Sequence, residues 1–222
     1  MSMRLKSALA AALGLAALTA CGPLNEGNVG KGALAVIQQR LAGAPAATAA
    51  PAAAPLTRAQ ADANPGKFLL VTAYGGASVV SVVPVSSNGN RDTWISADNV
   101  TVTLENGIVV ATRGLPRDLI AARVDGVRSA LSAGGGAAQR VHETLDDLDQ
   151  ISTELLQCSI VFDAAETVTI LQKAIPTRRF KETCQGQRTA FSNTYWIASG
   201  NRLVKTSQAV APETGFLLIE WP

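Results

Sequence analysis

The residues that could catalyse a reaction are few and poorly spaced for it. His142 is the single histidine of the 222-residue chain, and it stands beside Glu143 and upstream of further carboxylates. A histidine near carboxylates can act as a general base, but no serine lies in a G-x-S-x-G turn to serve as its nucleophile. Glu213 and Glu220 would form a glycosidase pair only if folding set their carboxyl groups at the required separation. We therefore predict no catalytic residue and a protein that is not an enzyme.

Patterns typical of metal, cofactor or nucleic-acid sites are also missing from the sequence. The cysteines and the lone histidine lack any zinc-ligand spacing, and Gly134-Gly135-Gly136 lacks the spacing of a phosphate-binding loop. Residues 1–20 have the pattern of a signal peptide, described below, that is removed from the mature protein. Its removal takes away Arg4 and Lys6, which leaves 19 − 2 = 17 basic residues against 17 acidic ones. No basic patch stands out. The sequence thus predicts no metal, no cofactor and no nucleic-acid partner.

Leu18-Thr19-Ala20-Cys21 closes a processing signal. Two cations precede an uncharged apolar run of 11 residues, which is far shorter than the roughly 20 residues of a membrane-spanning helix. A small residue before cysteine, with leucine three positions before it, is typical of the bacterial lipobox, in which the thiol receives a diacylglyceryl group. Several acyl chains, such as palmitate, hold a protein on a bilayer almost permanently. We predict a lipoprotein signal peptide over residues 1–20 and lipid attachment at Cys21; an ordinary secretory signal is the alternative.

Cys158 and Cys184 are the two cysteines left once Cys21 carries lipid. Export places them in an oxidising compartment, where such a pair can form a disulfide. In the chain-entropy model, closing a loop of this length stabilises the fold by about 3.5 kcal/mol. We predict that they pair, and two free buried thiols are the alternative.

From residue 67 onward, short β-branched runs separated by turn residues are typical of antiparallel strands. The clearest hairpin has alternating apolar residues over 100–105, then Asn106-Gly107, which favours a type I′ turn, then 108–112. The other predicted strands cover residues 67–74, 77–86, 141–149, 151–162, 167–173, 177–184, 191–198, 202–209 and 215–221. Short helices are predicted over 57–63, where Thr57 and Gln60 have capping-box spacing, and over 116–122, with a loop over 132–138. The fold class is mainly β, an antiparallel β-sandwich or barrel-like meander with a few short helices.

Residues 42–55 hold nine alanines and three prolines and no charge. The prolines interrupt any helix that the alanines favour, so the segment is predicted to be a flexible tether. Extended at about 3.1 Å per residue, it would reach roughly 40 Å. The predicted organisation is a signal peptide (1–20), a lipidated N-terminus and Ala/Pro-rich tether (21–55), and a β-rich periplasmic domain (56–222).

An ordered succession of modest motifs carries a family resemblance. The motifs are Thr93-Trp94-Ile95-Ser96, the run from Asn106 to Leu119 with its T-x-G-L-x-x-D-L pattern, Glu182-Thr183-Cys184, Phe191-Ser192-Asn193-Thr194-Tyr195-Trp196, Lys205-Thr206-Ser207-Gln208, Pro212-Glu213-Thr214-Gly215 and Glu220-Trp221-Pro222. Together they resemble the YjbF/GfcB family of bacterial envelope lipoproteins, which is linked to production of exopolysaccharide or capsule. The resemblance covers about residues 55–222.

The resemblance implies an accessory role in production or export of an extracellular polysaccharide, with an outer-membrane or periplasmic export protein, or the polysaccharide itself, as partner. Trp94, Trp196 and Trp221 are candidate glycan-contact aromatics, because an aromatic face can stack on a sugar ring; core packing is the alternative. By resemblance to bacterial lipoproteins that an aspartate after the lipidated cysteine retains in the inner membrane, Gly22 permits delivery to the outer membrane, where we expect the protein to face the periplasm. Two other functions stay open, a glycan-processing enzyme and an assembly lipoprotein that docks on an outer-membrane β-barrel.

Overall fold

The structure is a computed structural model that describes residues 55–73, 78–146 and 148–222. For Ser78 it describes the backbone and not the side chain. Cys21, the predicted signal peptide and the predicted tether up to residue 54 lie outside the described residues, as does Asp147. Within these described ranges, no helix is long and apolar enough to cross a membrane.

The described residues form two short helices, twelve strands and one 3₁₀ turn. In chain order they are α1 (Arg58–Ala63), β1 (Leu69–Ala73), β2 (Ser78–Asn88), β3 (Arg91–Ile95), β4 (Thr101–Glu105), β5 (Ile108–Arg113), β6 (Leu119–Arg123), α2 (Val127–Ala133), β7 (Gly136–Leu145), β8 (Ile151–Ile170), β9 (Lys173–Gln185), β10 (Ala190–Ala198), the 3₁₀ turn (Ser199–Asn201), β11 (Arg202–Ala211) and β12 (Gly215–Glu220).

All twelve strands belong to one antiparallel sheet, which confirms the predicted mainly β fold in its barrel-like form. The strand order is β5-β4-β3-β2-β1-β12-β11-β10-β9-β8-β7-β6. The two edge strands, β5 and β6, follow each other in the chain. Because they are joined by only five residues, 114–118, the sheet curls until its edges nearly meet.

Side chains connect β5 to β6 where ladder hydrogen bonds are missing. The Thr112 hydroxyl donates to Asp118 Oδ1 at 2.7 Å and accepts from the Leu119 amide at 3.0 Å. The Arg113 guanidinium donates to the carbonyl oxygens of Leu119 and Ile120 at 3.3 and 3.0 Å. An arginine and a threonine thereby satisfy polar groups that an edge strand would otherwise leave open.

Two local predictions are confirmed in detail. Asn106 and Gly107 both have positive φ, 50° and 86°, and join β4 to β5, as a type I′ turn requires. At the start of α1, Gln60 Oε1 accepts from the Thr57 amide at 2.9 Å, and Thr57 Oγ1 accepts from the Gln60 amide at 3.3 Å.

The helix predicted over 116–122 and the loop predicted over 132–138 are wrong. Residues 119–123 form β6, which pairs with β7, so the pairing partner decides the conformation and not the proline at 116. Residues 132 and 133 end α2, and β7 already begins at Gly136. Gly134 ends the helix with φ 91°, and a side chain at Gly135 would lie 2.9 Å from the Ile160 carbonyl oxygen. The glycines therefore allow a close approach to β8.

The two strands predicted over 151–162 and 167–173 are one strand. β8 runs without a turn to Ile170, and the chain reverses at Leu171-Gln172, where φ is 44° and 67°. A bulge near Phe162 takes the place of the predicted break. Since β8 is paired with β9 from Gln157 to Ile170, on both sides of residue 163, pairing overrides the weak turn signal there. The strand predicted over 141–149 exists but begins earlier and ends at Leu145.

The core lies on the inner face of the curled sheet, where α2 also packs. It contains side chains from β1 to β12 with exposed fractions below one tenth, among them Leu69, Ile108, Leu156, Phe180 and Ile219. A smaller cluster around Ile170 and Val204 packs beneath the far end of the β8–β9 hairpin. Burial of this many apolar side chains supplies the main driving force of the fold.

Candidate functional site

A charged pair sits inside the sheet. Arg140 on β7 and Glu182 on β9 have exposed side-chain fractions of 1% and 0%. They form a bidentate ion pair, with Nε to Oε1 and Nη2 to Oε2 distances of 2.9 Å. Tyr195 on β10 completes the cluster, because its hydroxyl accepts from Arg140 at 2.7 Å and donates to Glu182 at 2.6 Å. Asn193 donates to Glu182 at 2.7 Å.

The directions of the pKa shifts indicate that Arg140 and Glu182 stay ionised in this network. Burial alone raises the pKa of Glu182, but the Arg140 charge and the hydrogen bonds from Arg140, Tyr195 and Asn193 bring the pKa below its usual value. Burial lowers the pKa of Arg140, and the interactions with Tyr195 and Glu182 raise it above its usual value. Burial keeps the pKa of Tyr195 well above 10. The Glu182 carboxylate accepts hydrogen bonds from Arg140, Asn193 and Tyr195, so the network offers no free base to a substrate.

A disulfide lies beside this network. Cys158 on β8 and Cys184 on β9 are direct partners in the ladder, and their sulfur atoms are bonded at 2.03 Å. The two sulfurs and a Glu182 oxygen lie within 4.8 Å of one another. That spacing could suit a metal ion, but sulfurs joined to each other are not thiolate ligands.

His142 lies two residues beyond Arg140 on the same face of β7, and its residue exposure is 8%. Its ring stacks on Phe191, with centroids 5.4 Å apart. Burial, and next the Arg140 charge, lower its pKa to about 4. The imidazole is therefore neutral at pH 7, and its Nε2 has no hydrogen-bond partner among the described residues. A base this weak is poorly matched to catalysis near pH 7.

An open cleft of about 570 Å³ lies over His142. β7, β8, β10, β11 and β12 contribute to its walls, and its lining includes His142, Phe191, Phe216, Glu154, Arg188 and Arg117. Its volume is within the range of small-molecule sites. Sequence reasoning missed this cleft, because strands distant in the chain converge on it.

The charged side chains of the cleft are paired with each other or with the backbone. Glu154 accepts from the Arg188 and Thr189 amides at 2.6 and 3.1 Å and from the Thr189 hydroxyl at 2.9 Å. Burial raises the pKa of Glu154, but these bonds outweigh it and the pKa is lowered. Arg117 lies 3.7 Å from Glu213. The cleft is thus polar at its rim and carries ionised groups of both signs.

Glu213 and Glu220 do not form a glycosidase pair. Glu213 precedes β12 and lies near Arg117, whereas Glu220 ends β12 and lies 2.7 Å from Lys205. Six residues of strand span roughly 16 Å. A retaining or inverting pair requires carboxyl groups about 5–9.5 Å apart, so the geometry argues against this pair.

The three candidate glycan-contact tryptophans lie in different surroundings. Trp94 is 7% exposed and packs in the core, which leaves no ring face for a sugar. Trp196 is half-buried; its indole donates to Glu166 and lies 5.6 Å from the Lys205 ammonium. Trp221 is half-buried against the core. Trp94 and Trp221 thus belong to the main core, whereas Trp196 packs against the smaller cluster.

A nearly closed antiparallel sheet with a buried Arg140–Glu182 ion pair and an open cleft of mixed charge defines a β-rich protein without a recognisable catalytic constellation among its described residues. The chain belongs to the YjbF family, described as group 4 capsule polysaccharide lipoprotein GfcB, YjbF, whose family model matches residues 35–221. The resemblance seen in the motifs is confirmed. The family is one of lipoproteins of the bacterial envelope associated with capsule polysaccharide.

A solved structure has a similar fold. It is the hypothetical lipoprotein YmcC from Escherichia coli K12, with 18% sequence identity and a TM-score of 0.61 over 69% of this chain and 84% of that chain. At this identity the likeness shows the fold alone. No curated protein matched the chain.

Proposed function

We propose that the protein is an outer-membrane lipoprotein, anchored through Cys21 and facing the periplasm, that assists production or export of an extracellular or capsular polysaccharide without catalysing a reaction. The observation that carries the proposal is the family match over residues 35–221. The lipobox and the tether support the anchoring. The partner is an export protein of the outer membrane or periplasm, or the polysaccharide itself.

The side chains that could act as acid or base in an enzyme are poorly placed for catalysis, which favours an accessory role. His142 is stacked and has a pKa of about 4, Glu182 is consumed in a buried ion pair, and Glu213 and Glu220 lie at opposite ends of β12. A binding function requires none of them to exchange protons.

The direct test is secreted polysaccharide per cell in a strain that lacks the gene. Deletion should reduce output, and the wild-type gene should restore it. Cys21→Ser at matched protein level should fail to restore it, because the protein would no longer be held at the membrane. Unchanged output after deletion would remove the proposal.

Carboxylate variants separate an accessory from a glycan-processing enzyme. Glu213→Gln and Glu220→Gln preserve size and hydrogen bonding but remove acid–base function. Both should restore output as well as the wild type does. Loss of output in either variant, with normal accumulation of the protein, would favour the enzyme.

A further inference from the structure

The cleft over His142 combines features that point to one class of ligand. Its floor is aromatic, since Phe191 lies against the His142 ring and Phe216, 42% exposed, offers an open face. Its rim carries Arg117, Arg188 and carboxylates. A ligand that matches both has an apolar face and an edge that donates and accepts hydrogen bonds, as a sugar does with its hydroxyl groups.

The charges of the side chains that line the cleft restrict the class of ligand further. The ionisable lining groups are Arg117, Arg188, Asp146, Glu154 and Glu213, with His142 beneath them. Two are positive and three are negative while His142 is neutral, so an anion gains no net attraction from the cleft. An acyl chain would remove these charges from water without giving them hydrogen bonds, which is costly.

We propose that this cleft binds a short, uncharged stretch of a sugar chain, a proposal that rests on the proposed function and adds its binding site. Sugar hydroxyls donate to carboxylates and accept from arginines. The C–H face of a pyranose ring packs on the Phe216 ring, where aromatic surface supplies contact area at little cost in conformational entropy. The cleft volume of about 570 Å³ accommodates a chain segment and not only a single small ion.

His142 reports on the site, although its Nε2 is shielded from solvent. Because it is the single histidine of the chain, its ring signals in a nuclear magnetic resonance spectrum are unambiguous. It lines the cleft and stacks on Phe191, so a sugar seated in the cleft changes its surroundings without contacting that nitrogen.

The experiment uses the purified full-length mature lipoprotein in detergent micelles, with an affinity tag that contains no histidine. The probes are oligosaccharides released by partial acid hydrolysis from the strain's own polysaccharide, separated into uncharged and acidic fractions. Inorganic phosphate tests whether the cleft binds a simple anion, and dodecanoate tests whether it binds an acyl chain. Affinity is measured by calorimetry, and the His142 signals are followed in parallel.

The uncharged oligosaccharides should shift the His142 signals saturably. Phe216→Ala should weaken their binding about tenfold, and Phe216→Tyr, which keeps the ring, should restore it. The matched control is Phe162→Ala, because Phe162 is 52% exposed on β8 and does not line the cleft; it should bind as the wild type does.

No binding of uncharged sugar, tighter binding of the acidic fraction, phosphate or dodecanoate, or equal losses in Phe216→Ala and Phe162→Ala would each overturn this site. Such a result would leave the proposed function standing if gene deletion still lowers polysaccharide output. Conversely, unchanged output after deletion would remove the proposed function whatever the cleft binds.

Discussion

Arg140 and Glu182 form a bidentate ion pair at 2.9 Å although both side chains are almost fully shielded from solvent. Removing one partner leaves the other charge buried and unpaired, which costs about 3–5 kcal/mol. We expect Glu182→Leu to lower the free energy of unfolding by that amount, and Arg140→Met/Glu182→Leu to lower it much less. Urea denaturation measures both.

The matched control for the ion pair is Arg91→Met. Arg91 pairs with Glu105 at 2.8 Å, but its side chain is 50% exposed. Exposed pairs contribute about 0–1 kcal/mol, so this variant should be nearly as stable as the wild type. A Glu182→Leu protein as stable as Arg91→Met would show that the buried pair does not matter to stability.

The sequence predicted features whose cause is local and missed those whose cause is distant pairing. The Asn106-Gly107 turn and the Thr57 capping box follow from residue type alone. The helix α2 has no side-chain cap, since Gly126 precedes it in the left-handed region, and nothing in the pattern announced it. Sequence reasoning missed Arg140 and Glu182 because a charged residue in a strand usually faces solvent. Each lies two positions from a buried residue, Ala138 or Cys184, and therefore on the same face of its strand; that spacing was the available signal.

His142 makes stability depend on pH between about 4 and 6.5. Its pKa falls from 6.5 to about 4 on folding, so in that window the unfolded chain binds more protons than the native protein. The contribution of His142 to stability therefore falls as pH drops from 6.5 toward 4, by about 3 kcal/mol in total, and is constant above pH 6.5. Urea unfolding between pH 4.5 and 7.5 measures the slope.

The control for this slope is His142→Phe, which keeps a ring against Phe191 and cannot titrate. Carboxylates near the ring, Glu154 and Glu182, and the Arg140 charge remain in both proteins, so the difference between the two curves isolates the imidazole. Parallel curves would show that the native pKa of His142 is not lowered.

Gly107→Ala should destabilise the protein more than Gly89→Ala. Both glycines have positive φ, 86° and 62°, but a side chain at 107 would lie 2.7 Å from Leu203 Cδ2, whereas nothing lies within 4 Å at 89. Backbone strain costs about 1 kcal/mol at each position, and displacement of the buried Leu203 adds about 1–2 kcal/mol at 107. Equal midpoints in thermal unfolding would contradict this difference.

The Cys158–Cys184 disulfide should contribute measurably to stability. The cysteines are 26 residues apart, and closing such a loop stabilises by about 3.5 kcal/mol in the chain-entropy model. Reduction, or the double variant Cys158→Ala/Cys184→Ala, should lower the unfolding free energy by a value near this. Mass mapping without reductant should find one linked peptide pair, and two thiols that alkylate freely in the native protein would refute the pairing.

If residues 42–55 form the predicted tether, its length should matter to function more than its sequence. Residues 42–55 would extend the reach of the domain by roughly 40 Å, and shortening that reach limits which partner surfaces a membrane-held domain can contact. We expect deletion of residues 42–55 to lower secreted polysaccharide in the complemented strain. Replacement of the same residues by a Gly/Ser segment of equal length should preserve output, because it keeps reach and changes composition. Both variants must accumulate in the membrane fraction as the wild type does.

Normal output from the deletion would show that reach is not limiting, and a loss in both variants would mean that specific residues of this segment contact a partner.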